Sequence, residues 1–300
     1  MNAPAVSAAK QGTGLSVWIA AARPRTLTAA VLPVVVGTAL GYRAGRLEVP
    51  IAVATLAAAV LIQIGANLAN DYYDFVSGAD TASRLGPTRV TQAGLIEPNV
   101  VRNAAFGTLA MAALAGCYLV WAGGWPILAI GIASILSALA YTAGPFPLAY
   151  HGWGEAFVFV FFGLLAVNGA AYLQTRELTL LSFAVSIPIA SLCTAILVVN
   201  NLRDIDADRI AGKRTMAVRF GAQLTRAEYA LLVGSAFLAL PVLAWIGGWT
   251  MLLPLGALPL ALGAIGAVYR DRGEALNRDL ARTAALHSAF GLLLALGIVL

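Results

Sequence analysis

The stretch LTLLSFAVSIPIASLCTAILVVN, residues 178–200, runs for 23 residues without an Asp, Glu, Lys, Arg or His. Coiled as a helix it is about 34 Å long, enough to cross a hydrocarbon core of about 30 Å. Working outward, comparable runs appear when the chain is cut at charges, Gly/Pro pairs and Asn clusters. Nine spans result: 27–42, 51–69, 100–121, 125–143, 154–174, 178–200, 227–246, 249–269 and 284–300. The sequence therefore predicts an all-α, polytopic membrane protein with nine transmembrane helices. Residues 1–17 read as a short polar tail and 18–300 as a single transmembrane domain, with no cleavable signal peptide expected. Composition agrees: 60% of the 300 residues are hydrophobic and 11% charged, against about 25% charge in soluble chains. That deficit excludes an ordinary soluble globule, a disulfide scaffold and a disordered tail.

Placing the N-terminus in the cytoplasm puts 16 of the 19 Lys and Arg residues on the inner side; Arg43, Arg46 and Arg176 are the exceptions. This asymmetry sets the expected orientation. The net charge of +5 then belongs to an inner face that attracts anionic lipid and anionic substrate, and no nucleic-acid partner is expected. No obligate protein partner is evident either. Cys117 and Cys193 lie in apolar runs and read as packing residues. Trp18, Trp121, Trp125, Trp153 and Trp249 fall near span ends, where indoles anchor at the interface.

Acidic residues carry the sharpest signal. Of 14 Asp and Glu, six occur in two short segments after the second and sixth spans. The first reads Asn67, Asn70, Asp71, Asp74, then Asp80; the second reads Asn200, Asn201, Arg203, Asp204, Asp206, Asp208, then Lys213 and Arg214. In a continuing helix Asn67, Asn70, Asp71 and Asp74 share one face, as do Asn200, Asp204 and Asp208. Carboxylates so stacked repel one another and need a cation. Mg²⁺ takes one or two carboxylates and fills its octahedron with water and phosphate oxygens, so two facing acidic clusters suit a magnesium-bridged pyrophosphate. Interleaved Arg and Lys residues suit a polyanion as well. The bland alternative is a set of solvated helix caps.

At these residues the chain resembles the UbiA superfamily of intramembrane aromatic prenyltransferases. The resemblance rests on residues 22–27 (ARPRTL), 67–80 (NLANDYYDFVSGAD), 84–96 (RLGPTRVTQAGLI), 141–155 (YTAGPFPLAYHGWGE) and 200–221 (NNLRDIDADRIAGKRTMAVRFG). It is closest to the MenA branch, which prenylates 1,4-dihydroxy-2-naphthoate. The general first motif carries a third Asp four residues after the second; here that place is Gly78, with Asp80 two residues on.

The resemblance implies nine helices around a central cavity in a bacterial cytoplasmic membrane, with both Asp-rich motifs on the cytoplasmic side. It implies transfer of a polyprenyl group from polyprenyl pyrophosphate to an aromatic acid acceptor, with loss of CO₂ and pyrophosphate, giving demethylmenaquinol. Asp71, Asp74, Asp204 and Asp208 are then the expected metal ligands, with Asn67, Asn70 and Asn201 orienting them or ligating. Arg84, Arg89, Arg203, Lys213 and Arg214 are expected to meet phosphate charge, and Arg23 or Arg25 the acceptor carboxylate. Tyr141 offers a π face to an allylic cation. His151 and Glu155 are candidates for the acceptor pocket, and His287 for none. A different aromatic acceptor, such as 4-hydroxybenzoate or homogentisate, stays open. A secondary transporter is disfavoured because its charges belong near the bilayer centre.

Overall fold

A chain this apolar satisfies its backbone in lipid by coiling into helices, and among the described residues it forms helices and no strand. The computed structural model describes residues 14–79 and 85–300. A short helix α1 (Leu15–Ala22) meets α2 (Pro24–Arg43) at Arg23, whose φ of 52° makes a sharp corner. The following helices are α3 (Val49–Val76), α4 (Pro98–Gly123) and α5 (Trp125–Ala140). Next come α6 (Gly154–Val158) and α7 (Ala166–Thr175), joined by a wider i→i+5 stretch at Phe159–Leu165 into one span. Beyond them lie α8 (Leu180–Arg203), the short α9 (Ile205–Ile210), α10 (Met216–Leu238) running into α11 (Leu240–Gly247), α12 (Leu258–Arg270) and α13 (Leu276–Val299).

Among the described residues eight helical segments are long and apolar enough to cross a membrane, one fewer than the nine predicted. The difference is α5, which has 16 residues and stops at Ala140 where the sequence predicted continuation to residue 143. Gly144 (φ 87°), Pro145 and Pro147 cannot extend a helix, so the chain turns away early. At two other spans the sequence started the helix too late. Arg226, taken as loop, is buried within α10: its guanidinium donates to the carbonyls of Val268 (2.9 Å) and Asp271 (3.3 Å) at the end of α12. Likewise Asp279 is buried in α13, accepting from Arg282 at 2.7 Å, one turn along the same helix.

Helices approach closely where side chains vanish. A Cβ on Gly37 would lie 2.6 Å from that of Ala170, and one on Gly163 would run into Ala190, so α2 meets α7 and the wide stretch meets α8 through glycine. The length of α3 matters most for the site. Its 28 residues give about 42 Å, well beyond the hydrocarbon thickness, so its last turns carry Asp71 and Asp74 out toward the membrane edge.

Gly163→Leu should overpack the contact with Ala190 and cost about 1–3 kcal/mol, read as an earlier thermal transition in detergent. Gly107→Leu, on an exposed face where a Cβ would meet nothing within 4 Å, should leave that transition in place.

Candidate active site

The acidic ends of α3 and of α8–α9 face one another across the mouth of a cavity of about 710 Å³. On the α3 side Asp74 is buried. Its Oδ2 accepts from Arg89 Nη2 at 3.1 Å, and its Oδ1 accepts from the Tyr150 hydroxyl at 3.0 Å and from Lys213 Nζ at 3.3 Å. The same ammonium lies 3.8 Å from Oδ1 of Asp208. One cation thus spans the two motifs. Its placement follows from local chain chemistry: the turn after α9 passes through Gly212 (φ 73°), the Gly212 amide donates to Arg209 O, and the Lys213 amide donates to Asp208 O at 2.9 Å. This Schellman closure folds Lys213 back over Asp208. The ammonium also sits 4.8 Å from the centre of the Tyr150 ring.

Asp204, at the junction of α8 and α9, leaves helical geometry (φ −93°, ψ 8°) and takes a forked pair from Arg203 at 2.8 and 2.6 Å. Arg203 also donates to the side-chain oxygens of Asn200 and Asn277. It is therefore a clamp behind the carboxylate and does not line the cavity. Asn201 donates to Glu155 Oε1 at 2.8 Å, joining α8 to α6, while Thr142 donates to Asn70 Oδ1 at 2.7 Å. Asn67 donates to Ala22 O and Thr26 Oγ1, both at 3.0 Å, pinning the α1–α2 corner to α3.

Ten residues predicted from sequence meet on this cavity: Arg23, Asn67, Asn70, Asp74, Arg89, Tyr141, Asn201, Asp204, Asp208 and Lys213. Asp71 does not join them. Its carboxylate accepts the amides of Val90 (3.1 Å) and Thr91 (3.0 Å), so its charge holds the loop that presents Arg89. Arg214 and Arg25 are exposed and outside the cavity wall, and half-buried His151, stacked on Phe146, also lies outside it. Arg84 and Asp80 lie outside the described residues.

Sequence reasoning missed Tyr150, because nothing in the pattern separates it from an interfacial anchor. Glu155, a lesser candidate, lines the cavity. The Tyr141 phenol is held above its usual range by removal from water, then by the carboxylates of Glu155, Asp74 and Asp208. It remains a neutral hydrogen-bond donor at physiological pH.

Away from the charged end the walls are apolar, drawn from α3, α4, α5 and α7. Among the described residues no three Asp, Glu, His or Cys side chains gather as a ready metal cage. The two facing carboxylates instead suit an ion that arrives with its own oxygen ligands.

The profile of the UbiA prenyltransferase family matches residues 30–293. The chain belongs to that family. It is 41% identical over 259 residues to the 1,4-dihydroxy-2-naphthoate octaprenyltransferase of Mycobacterium tuberculosis, covering 85% of this chain and 87% of that one. The enzyme of the same name from Escherichia coli is 38% identical over 295 residues, covering 94% and 95%. A solved structure of a UbiA homologue from Archaeoglobus fulgidus, bound to GPP and Mg²⁺, superposes with a TM-score of 0.69 at 14% identity, covering 94% of this chain and 99% of that chain. The fold is therefore shared at low sequence identity.

Asp74→Asn should lower turnover by about 10²-fold or more while leaving a folded protein, since the amide keeps its shape and loses its charge. Asp71→Ala should act through the loop, lowering stability by an amount on the order of 1–3 kcal/mol, read as an earlier thermal transition, together with turnover. Near-native activity in Asp74→Asn would remove that residue from the site.

Proposed function

We propose that this chain transfers a polyprenyl group from polyprenyl diphosphate to 1,4-dihydroxy-2-naphthoate, releasing CO₂ and diphosphate. The observation that carries the reading is the meeting of Asp74 and Asp208 on one ammonium at the charged mouth of an otherwise apolar cavity. A diphosphate with a long hydrocarbon tail has the same division of charge. The acceptor is supported by the names of the relatives at 38–41% identity.

The donor set fits Mg²⁺. Asp74, Asp204 and Asp208 offer carboxylate oxygens and Asn70 an amide oxygen, all hard ligands, and Lys213 already marks a place where positive charge is compensated by two of them. Asn70, Asp74, Asp204 and Asp208 would hold the ion, which when bound supplies neutralisation of the diphosphate as its bond to carbon breaks.

The protein's own groups do the rest. Arg89 and Lys213 face the same end, placed to stabilise the leaving group, whose charge grows as the allylic C–O bond lengthens. The apolar wall keeps water from the allylic cation, and Tyr141 lies beside its path as a neutral phenol with a π face. Arg23, at the α1–α2 corner, faces the cavity and serves the acceptor's carboxylate. The electron-rich ring attacks the allylic carbon at the position that bears the carboxylate. Loss of CO₂ returns the electron pair to the ring and restores aromaticity. The charged mouth is assigned to the cytoplasmic face of a bacterial membrane by the Lys and Arg asymmetry.

Purified protein given labelled prenyl diphosphate, magnesium and competing aromatic acids should form product from 1,4-dihydroxy-2-naphthoate, and chelation should abolish it. Product from 4-hydroxybenzoate alone would overturn the acceptor assignment. Undiminished turnover under chelation would overturn the role given to the acidic residues.

A further inference from the structure

Glu155, the second residue of α6, is 8% exposed and lines the cavity. Its Oε1 accepts from Asn201 Nδ2 at 2.8 Å. Its Oε2 is shut off from bulk water and has no hydrogen-bond partner. A buried acceptor left unmade costs free energy, so such an atom calls for a partner that the protein itself does not supply. Among the described residues Asp279 and His287 also hold buried atoms without a partner, but neither lines the cavity.

The surroundings of Glu155 select the kind of partner. A Cβ on Gly154 would lie 3.2 Å from the Tyr141 hydroxyl, so the start of α6 packs against Tyr141. The Glu155 carboxylate and the Arg23 guanidinium act on that phenol with opposite sign, which puts both charges within electrostatic reach of one ring. Arg23 lines the same cavity. A prenyl diphosphate offers Oε2 nothing, because its ionised oxygens only accept and its tail has no donor. The acceptor's carboxylate is repelled by Glu155 and drawn to Arg23. The remaining donors are ring hydroxyls, which form short, strong bonds to carboxylates. In 1,4-dihydroxy-2-naphthoate the 1-hydroxyl bonds internally to the neighbouring carboxylate, which leaves the 4-hydroxyl to seek a partner.

Building on the acceptor assigned above, we propose that Glu155 Oε2 accepts a hydrogen bond from the 4-hydroxyl of the aromatic acid and, with Arg23 at the carboxylate, sets the angle at which the ring meets the allylic carbon. Asn201 holds the other oxygen and so fixes the plane of the carboxylate. Glu155 selects a hydroxylated ring, while the donor is bound by the groups around Asp74 and Asp208.

The test uses full-length protein in detergent or liposomes with labelled prenyl diphosphate and magnesium. The acceptor is either 1,4-dihydroxy-2-naphthoate or its 4-O-methyl ether, which keeps an electron-rich ring and loses the O–H. The unaltered chain should favour the dihydroxy acid by about tenfold or more in kcat/KM. In Glu155→Gln the amide oxygen keeps the Asn201 contact and the NH₂ group puts a donor where an acceptor stood. That variant should raise KM for the dihydroxy acid about tenfold, hold KM for the prenyl diphosphate within about twofold, and narrow the preference over the methyl ether to about threefold or less. Equal use of the two acids by the unaltered chain would overturn the role of Glu155, and this arm needs no variant to fold. An undiminished preference in Glu155→Gln, or a rise in KM shared equally by donor and acceptor, would overturn it too. If the unaltered chain prenylates 4-hydroxybenzoate and not the dihydroxy acid, the acceptor assignment itself fails and takes this inference with it.

Discussion

Among the described residues the site depends on an ammonium group held between carboxylates that come from opposite halves of the chain. Lys213 lies 3.3 Å from Asp74 and 3.8 Å from Asp208, and Asp74 is almost fully removed from water. A unit-charge contact at about 4 Å is worth about 4 kcal/mol at an effective dielectric of 20. Without compensation the two carboxylates would repel one another. Tyr150 completes the arrangement by donating to Asp74 while presenting its ring to the ammonium. The acidic motifs can face one another at the edge of a lipid bilayer because this cation stands between them.

Helix existence was legible from the sequence because charge-free runs of membrane length have few alternatives in lipid. Helix ends were not, and the reasons are specific. Arg226 looked like loop because a lone arginine in a span is costly, yet its guanidinium is satisfied by carbonyls that α12 leaves open at its end. The α5 end was overrun because the apolar character of the sequence outlasts its helical conformation, which Gly144 and Pro145 terminate.

Within the site, spacing put Asn67, Asn70, Asp71 and Asp74 on one helix face but could not tell which carboxylate reaches the cavity. Asp71 and Asp74 are only about 60° apart around the axis at 3.6 residues per turn. Asn70 and Asp74 form the row that lines the cavity, while Asp71 turns to the amides of Val90 and Thr91. That choice depends on where the 89–95 loop returns, a long-range fact absent from the periodicity. The clamp role of Arg203 was hidden for a related reason, since its partners include Asn277, far along the chain.

Asp71 gives the α3 terminus a further property. By gripping Val90 and Thr91 it fastens the returning loop to the helix that bears Asp74, and Arg89 then reaches Asp74 from only 15 residues away. Lys213 reaches the same carboxylate from 139 residues away. The first pairing is a short-range contact, cheap in loop-closure entropy and independent of the later helices. As the chain is threaded into the bilayer, Asp74 can acquire its arginine before α8 and α9 exist, and need not wait as a bare anion beside lipid for the second half of the protein to arrive.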